Sequence, residues 1–376
     1  MARRGRALDP ASPARHVDLV LLAVTLAIAA GGVLMVYSST HYRLQTGHLD
    51  PQLYLKRQAV WTTLGVLAMV AVATVDYRSL RDHSHLIYAG TVGVLLLVLS
   101  PLGSSHKGTQ AWFQVGSFQL EPSEWAKVAL VLCIASYCAR HRGDLDWRRL
   151  QAVLALMAAP MALIYLQPDL GTDLVFAGIV MAMLLVAGAR ARHLVVLALL
   201  GVTGAVLTIQ LGILKQYQLD RLGSFLDPKS DTRGPSYNQS QSKTAIGAGG
   251  LTGKGLFKGT QTNLAFVPEQ HTDFIFTAVG EELGFLGAAA LLALFGIMVW
   301  RTWRTAMLAR DLFGTLVCVG VLAMLVFQVF ENVGMAMGIM PVAGIPLPFM
   351  SYGGSATLTA FAALGLVQNV HMRRFL

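Results

Sequence analysis

Ten apolar stretches dominate the chain, near residues 18–38, 59–75, 85–102, 124–140, 150–167, 171–188, 193–213, 273–299, 312–333 and 352–371. Each is long enough, or nearly so, to cross a hydrocarbon core of roughly 30 Å. Inside lipid every backbone donor and acceptor must be paired within the protein, so stretches of this kind fold as helices. The 13% of charged residues is about half the usual share of a soluble domain. The expectation is an all-α polytopic membrane protein, one domain over 1–376, with ten transmembrane helices. The first stretch follows Arg3, Arg4, Arg6 and Arg15 but is too long for a signal-peptide core, so it reads as an uncleaved helix. Cys133, Cys138 and Cys318 are too few for a disulfide framework and read as packing residues.

Basic residues set the orientation. With the N-terminus inside, 17 of the 29 lysines and arginines fall in cytoplasmic segments, from Arg3 through Arg78, Arg140, Arg190 and Arg301 to Arg374. Only Arg43, Lys56, Arg57 and Lys107 occupy short outer loops. Both termini are then cytoplasmic, and the segment of about 214–272, between the seventh and eighth helices, is a large extracytoplasmic loop. The net charge of +9 is a topology signal and requires no nucleic-acid partner.

Polar residues concentrate in four segments on this outer side. In the first, Pro122 and Ser123 open a helix whose first turn holds Glu124 and Lys127, three apart and on one face. They can form an internal ion pair, line a polar cavity, or both. In the second, Asp169 sits where Pro168 and Gly171 break the backbone, a position that suits a structural cap or a watery cavity. The third, 214–272, contains Gly247, Gly249, Gly250, Gly253, Gly255 and Gly259 among lysines, which suits an anionic ligand approached by backbone amides, or plain flexibility. GLTGKGLFKGT lacks the spacing of a nucleotide phosphate loop. At its end Asp273 meets the next apolar stretch, and a carboxylate at a membrane edge is by default functional. The fourth, MPVAGIPLPFMSYGGS, has too many helix breakers to be helical and reads as an ordered outer loop. Gln328, Glu331 and Asn332 form a polar cluster before it, and Glu281 and Glu282, about 12 Å beyond Asp273 along its helix, invite structural pairing.

The ordered motifs PSE-x-x-K, QPDLGT, FLDP, QS-x-x-AIG-x-GG-x-x-GKG, GTQ, PE-x-HTDFIF, EELG and PV-x-G-x-PLPF-x-SYGGS resemble those of the SEDS (shape, elongation, division, sporulation) family of cell-wall polymerases over about residues 18–371. GTQTNLAFVPEQHTDFIF is more similar to the elongation, RodA-like branch than to the division, FtsW-like branch. The resemblance implies a peptidoglycan glycosyltransferase of the bacterial plasma membrane, active on its extracytoplasmic face. It would polymerise lipid II and release a polyprenyl diphosphate. It implies Asp273 as the essential acid, with Lys56, Arg57, Glu124, Lys127, Asp169, Gln241, Lys243, Lys254, His271 and Thr272 in the substrate cavity. Lysines and loop amides would neutralise the diphosphate, with a divalent cation, Mg or Mn, as an optional helper. The implied partner is a class B penicillin-binding protein, a transpeptidase of the elongation machinery. The alternative from another class is a lipid II flippase. Alternating access would then call for polar residues continuing to the cytoplasmic side, where this chain has only short basic loops.

Overall fold

The computed structural model describes residues 16–106, 109–116, 118–141, 146–212, 218–219, 221, 223 and 235–375. Arg3, Arg4, Arg6, Arg15, Lys107, Lys215, Lys229, Arg233 and the FLDP motif lie outside the described residues. Each of the ten apolar stretches lies on a helix: α1 (Leu19–Thr46), α2 (Leu53–Thr74), α4 (Ser84–Val98), α5 (Pro122–Arg140), α6 (Trp147–Leu166), α7 (Leu170–Val186), α8 (Ala191–Gln210), α11 (Ile275–Leu308), α12 (Leu312–Met337) and α13 (Gly354–Met372). Short α3 (Tyr77–Asp82) joins α2 to α4. Among the described residues six helices are long and apolar enough to cross a membrane by length and composition, namely α1, α2, α6, α8, α11 and α12.

Aspartate starts many of these helices. Asp18, Asp76, Asp146, Asp169 and Asp311 each accept a hydrogen bond from a backbone N–H in the first turn of α1, α3, α6, α7 and α12. Pro122 occupies the first turn of α5, where its missing N–H costs nothing. Helix α12 is the central post, its inward side chains from Phe313 to Ala336 buried against α5, α7 and α11. Helix α8 sits at the periphery with Val195, Val196, Leu199, Leu200 and Val202 exposed, as a lipid-facing helix requires.

Two parts depart from the sequence expectation. The fold is not purely helical, because β1 (Ser104–His106), β2 (Thr109–Val115) and β3 (Phe118–Leu120) form a small antiparallel sheet before α5, with Ser104 opposite Trp112 and Phe113 opposite Leu120. The segment of 214–272 is also not merely a loop. It carries α9 (Pro235–Gly249) and α10 (Thr260–Asn263), and α9 runs alongside α11. Ser242 shares a hydrogen bond with Thr277, and Ile246 packs on Gly280.

The reason for the glycines is structural. Helix α11 is broken at Gly284, whose φ of 67° and ψ of −165° fall in a region open only to glycine. A break in an apolar helix strands carbonyls and amides, and residues 250–255 pair with them. Lys254 N and Gly255 N donate to Glu281 O and Glu282 O, while Phe285 N and Leu286 N donate to Gly250 O and Leu251 O, all at 2.9–3.0 Å. Backbone this close leaves no room for side chains. A Cβ on Gly249, Gly253 or Gly284 would overlap a backbone atom of the facing segment. These three glycines therefore bring one backbone onto another. By the helical rise the pairing lies about 12–18 Å along α11 from Asp273.

Gly284→Ala and Gly253→Ala are each expected to cost at least the 1–3 kcal/mol of backbone strain, seen as a lowered thermal unfolding temperature of the detergent-solubilised protein. Gly247→Ala, which meets open space, should be neutral or slightly stabilising. Equal behaviour of the three variants would contradict the pairing.

Candidate active site

Asp273 closes a turn in which Thr272 N, Asp273 N and Phe274 N all point at Glu269 O, at 3.3, 3.0 and 3.4 Å. The turn is strained, with Glu269 at a φ of 52°. Its outlet is fixed by Asn332 on α12. Wholly buried, the Asn332 amide donates to Asp273 O at 2.7 Å and to Ile345 O at 2.8 Å. One side chain thus pins the aspartate's backbone to the loop of residues 339–353. The half-buried carboxylate faces Gly344, where an added Cβ would lie 3.6 Å from Asp273 Oδ2.

That loop is the hub of the Asp273 end of the bundle. A Cβ on Gly171 of α7 would press on Ala343 O at 2.8 Å, which places the start of α7, with Asp169, beside the same loop. Gln58 Nε2 on α2 donates to Ser351 O at 3.2 Å. Tyr352 N donates to His271 O at 2.9 Å. The rings of Tyr54 and His271 lie 4.8 Å apart and those of Tyr54 and Tyr352 4.9 Å apart. Arg57 lies within reach of the Tyr352 hydroxyl. Glu121 N donates to Ser355 Oγ at 2.9 Å, which ties the start of α5 to the same hub.

The expected substrate cations separate into two groups. Lys56 is paired at 2.8 Å with Asp50 in the open. Lys127 is paired at 2.6 Å with Glu124, both buried, which is the internal ion pair foreseen from their spacing. Lys254 binds Glu281 at 2.8 Å and Thr260 at 2.6 Å. Glu281 also accepts bonds from Gln261 N, Thr262 N and Thr262 Oγ1, and Glu282 accepts from Ser38 and Phe257 N. Both glutamates are structural anchors for the re-entrant segment. Lys254 is thereby tied to the break in α11.

Arg57 and Lys243 remain without an ion pair among the described residues. Lys243 is exposed on α9 beside Gly338, where an added Cβ would meet its Nζ at 3.1 Å. The carbonyl end of α12 favours a cation at that point. Gln241 is half-buried on the same helix. Thr272 is occupied locally, its hydroxyl donating to Glu269 O at 3.1 Å.

A second acidic group gathers at the starts of α5 and α7. Burial first, then the nearby Glu124 and Asp169 carboxylates, push the Glu121 carboxyl well above its usual range. Trp112 Nε1 and Ser123 Oγ donate to it at 3.2 and 2.9 Å. Asp169 caps α7 through Thr172 N at 3.1 Å, the structural role weighed from the sequence. Among the described residues no group of three or more His, Cys, Asp or Glu side chains forms a metal shell. The polar groups missed from the sequence are Tyr54, Gln58 and Tyr352; only the SYGGS motif, which contains Tyr352, hinted at one of them.

Glu124→Gln would strand the Lys127 ammonium, which is 1% exposed, and is expected to cost about 3–5 kcal/mol in thermal unfolding. Replacing both, Glu124→Gln with Lys127→Met, should recover most of that loss. No loss in the single variant would show that the pair is hydrated.

A family model described as FtsW/RodA/SpoVE cell cycle proteins matches residues 18–375. Stage V sporulation protein E of Bacillus subtilis is 38% identical over 94% of this chain and 96% of its own length. Peptidoglycan glycosyltransferase MrdB of Escherichia coli is 34% identical over 96% and 94%. The crystal structure of Thermus thermophilus rod shape determining protein RodA superposes with a TM-score of 0.71 at 31% identity, covering 96% of this chain and 98% of that one. A chain from a structure described as the structural coordination of polymerization and crosslinking by a peptidoglycan synthase complex gives 0.81 at 32% identity, again over 96% and 98%. With the match spanning nearly the whole sequence, the chain belongs to the FtsW/RodA/SpoVE family, the SEDS group that its motifs resemble.

Proposed function

We propose that this chain is a peptidoglycan glycosyltransferase of the bacterial membrane that joins lipid II units into glycan strands. Relatives that align over nearly their full length carry the name peptidoglycan glycosyltransferase. The observation that carries the reading for this chain is Asp273 itself, a half-buried carboxylate with its backbone pinned by Asn332 and its side chain turned to Gly344. A sugar hydroxyl must lose its proton as its oxygen bonds to the anomeric carbon of the donor. Asp273 takes that proton. The bond from the anomeric carbon to the diphosphate oxygen breaks, and polyprenyl diphosphate leaves with the electron pair. Arg57 and Lys243, which form no ion pair among the described residues, supply positive charge for that leaving group. A divalent cation, Mg or Mn, would assist the same leaving group; among the described residues no group of three or more His, Cys, Asp or Glu side chains is placed to hold one.

The wider arrangement follows from the same reading. Ten helices cross the membrane, both termini are cytoplasmic, and Asp273 faces outward. Single-cysteine variants at Arg148 and Arg304 should be labelled by a membrane-impermeant thiol reagent only in opened cells, and a cysteine at Leu49 in intact cells. The reverse pattern would overturn the orientation. A transpeptidase of the penicillin-binding class is the partner that fits, since the structurally similar chain comes from a complex that couples polymerization to crosslinking. The elongation role rests on the sequence around GTQTNLAFVPEQ.

Asp273→Asn keeps the shape and removes the basicity. General-base loss costs about 10²–10⁴ in rate, so the purified variant should fold and bind lipid II yet make almost no glycan. A folded Asp273→Asn protein that polymerises at the normal rate would remove Asp273 from the chemistry.

A further inference from the structure

At the end of the bundle opposite Asp273, three helix ends meet in a knot of arginines. Asp18, the cap of α1, exchanges hydrogen bonds with Gln368 of α13 at 2.9 and 3.0 Å. Its carboxylate is occupied by Arg301 of α11, at 2.7 and 2.8 Å. Arg373 is spent on structure as well, donating to the carbonyls of Ala73 and Thr74 at the end of α2. Two further arginines make no ion pair among the described residues. Arg304 is exposed and Arg374 half-exposed, and among the described residues neither has a carboxylate within ion-pair distance.

The two are not scattered surface charges. Arg374 lies within electrostatic range of both Arg304 and Arg301, with Asp18 the single opposing acid. The Arg301 and Arg304 guanidiniums sit 5.6 and 6.0 Å from the centre of the same Trp300 ring. Arg374 is held in turn by His371, whose other ring nitrogen contacts Thr305 Oγ1 at 3.2 Å on α11. Around the charges stand large exposed apolar groups: Trp300 is 56% exposed, Trp303 45% and Phe375 70%. Three guanidiniums against one carboxylate repel one another, and among the described residues no further anion offsets two of the charges. Tryptophans at this height are the side chains that settle among lipid headgroups. Guanidinium donors match phosphate oxygens in pairs.

We propose that Arg301, Arg304 and Arg374, with Trp300 and Trp303, form a binding site for the phosphate of an anionic phospholipid in the leaflet at this end of the bundle. The lipid's acyl chains would run along the exposed apolar face of α11, past Ile297 and Leu292. Its phosphate would supply the counter-charge that Asp18 provides to Arg301 alone. The site is separate from the Asp273 chemistry, since the α11 segment bearing Arg301 and Arg304 starts 28 residues beyond Asp273 (301 − 273).

The test is native mass spectrometry of the purified full chain titrated with phosphatidylglycerol or with phosphatidylcholine. Wild type should retain phosphatidylglycerol in preference, with an affinity that falls as salt rises. Each surface cation contributes about fivefold to such binding, so Arg304→Gln with Arg374→Gln should weaken phosphatidylglycerol by about 30-fold and leave phosphatidylcholine unchanged. Arg148→Gln removes one exposed charge elsewhere, on α6, and should have little effect. The milder pair Arg304→Lys and Arg374→Lys, which keeps the charges and loses the paired donors, should fall between. Equal retention of the two lipids by wild type, undiminished phosphatidylglycerol binding by the double glutamine variant, or an equal loss in Arg148→Gln would each overturn the proposal.

Discussion

A membrane protein can break a helix only where something else pairs the exposed backbone, and the Asp273 end of this chain is organised by that requirement. Helix α11 breaks at Gly284, and the segment after α9 enters to supply and receive the missing hydrogen bonds. Glu281 and Glu282, the carboxylates at the break, are satisfied by the same segment and by Ser38 of α1. The rigid stub of α11 that results, from Ile275 to the break, carries the turn of Asp273 at its outer end. The irregular loop of 339–353 obeys the same rule. Its carbonyls are met by Asn332, Gln58 and Arg221, side chains reaching in from three separate parts of the chain.

This division explains which charged residues are left for chemistry. Lys56, Lys127 and Lys254 are paired with Asp50, Glu124 and Glu281. Arg57 and Lys243 stand on α2 and α9, elements that pack against the loop beside Asp273 or against the carbonyl end of α12 that precedes it. A carboxylate to take the hydroxyl proton and cations to receive the diphosphate are the minimum that its departure from a sugar requires.

Much of this was legible in the sequence, for reasons that differ by element. The ten apolar helices follow from hydropathy, and Asp273, Glu124 and Lys127 stood out because charge next to lipid is rare. The small sheet of 104–120 was not legible, since three-residue strands carry too little alternation to register. Helix α9 was hidden by its composition of serine, glutamine and glycine, which favours loops until tertiary contacts such as Ser242 with Ala336 O select the helix. The pairing of Lys254 with Glu281 joins residues 27 apart through a helix break, and no local pattern encodes it.

The account stands or falls on whether Asp273 works because its backbone is held. The direct measurement is steady-state glycan polymerisation by Asn332→Ala, with lipid II binding and thermal unfolding followed on the same preparation. Losing both bonds leaves Asp273 O and Ile345 O without their donor, a cost of about 1–3 kcal/mol per buried group. The account predicts a fall in kcat of tenfold or more in a protein that still folds and still binds lipid II. Wild-type kcat in a folded Asn332→Ala protein would contradict it.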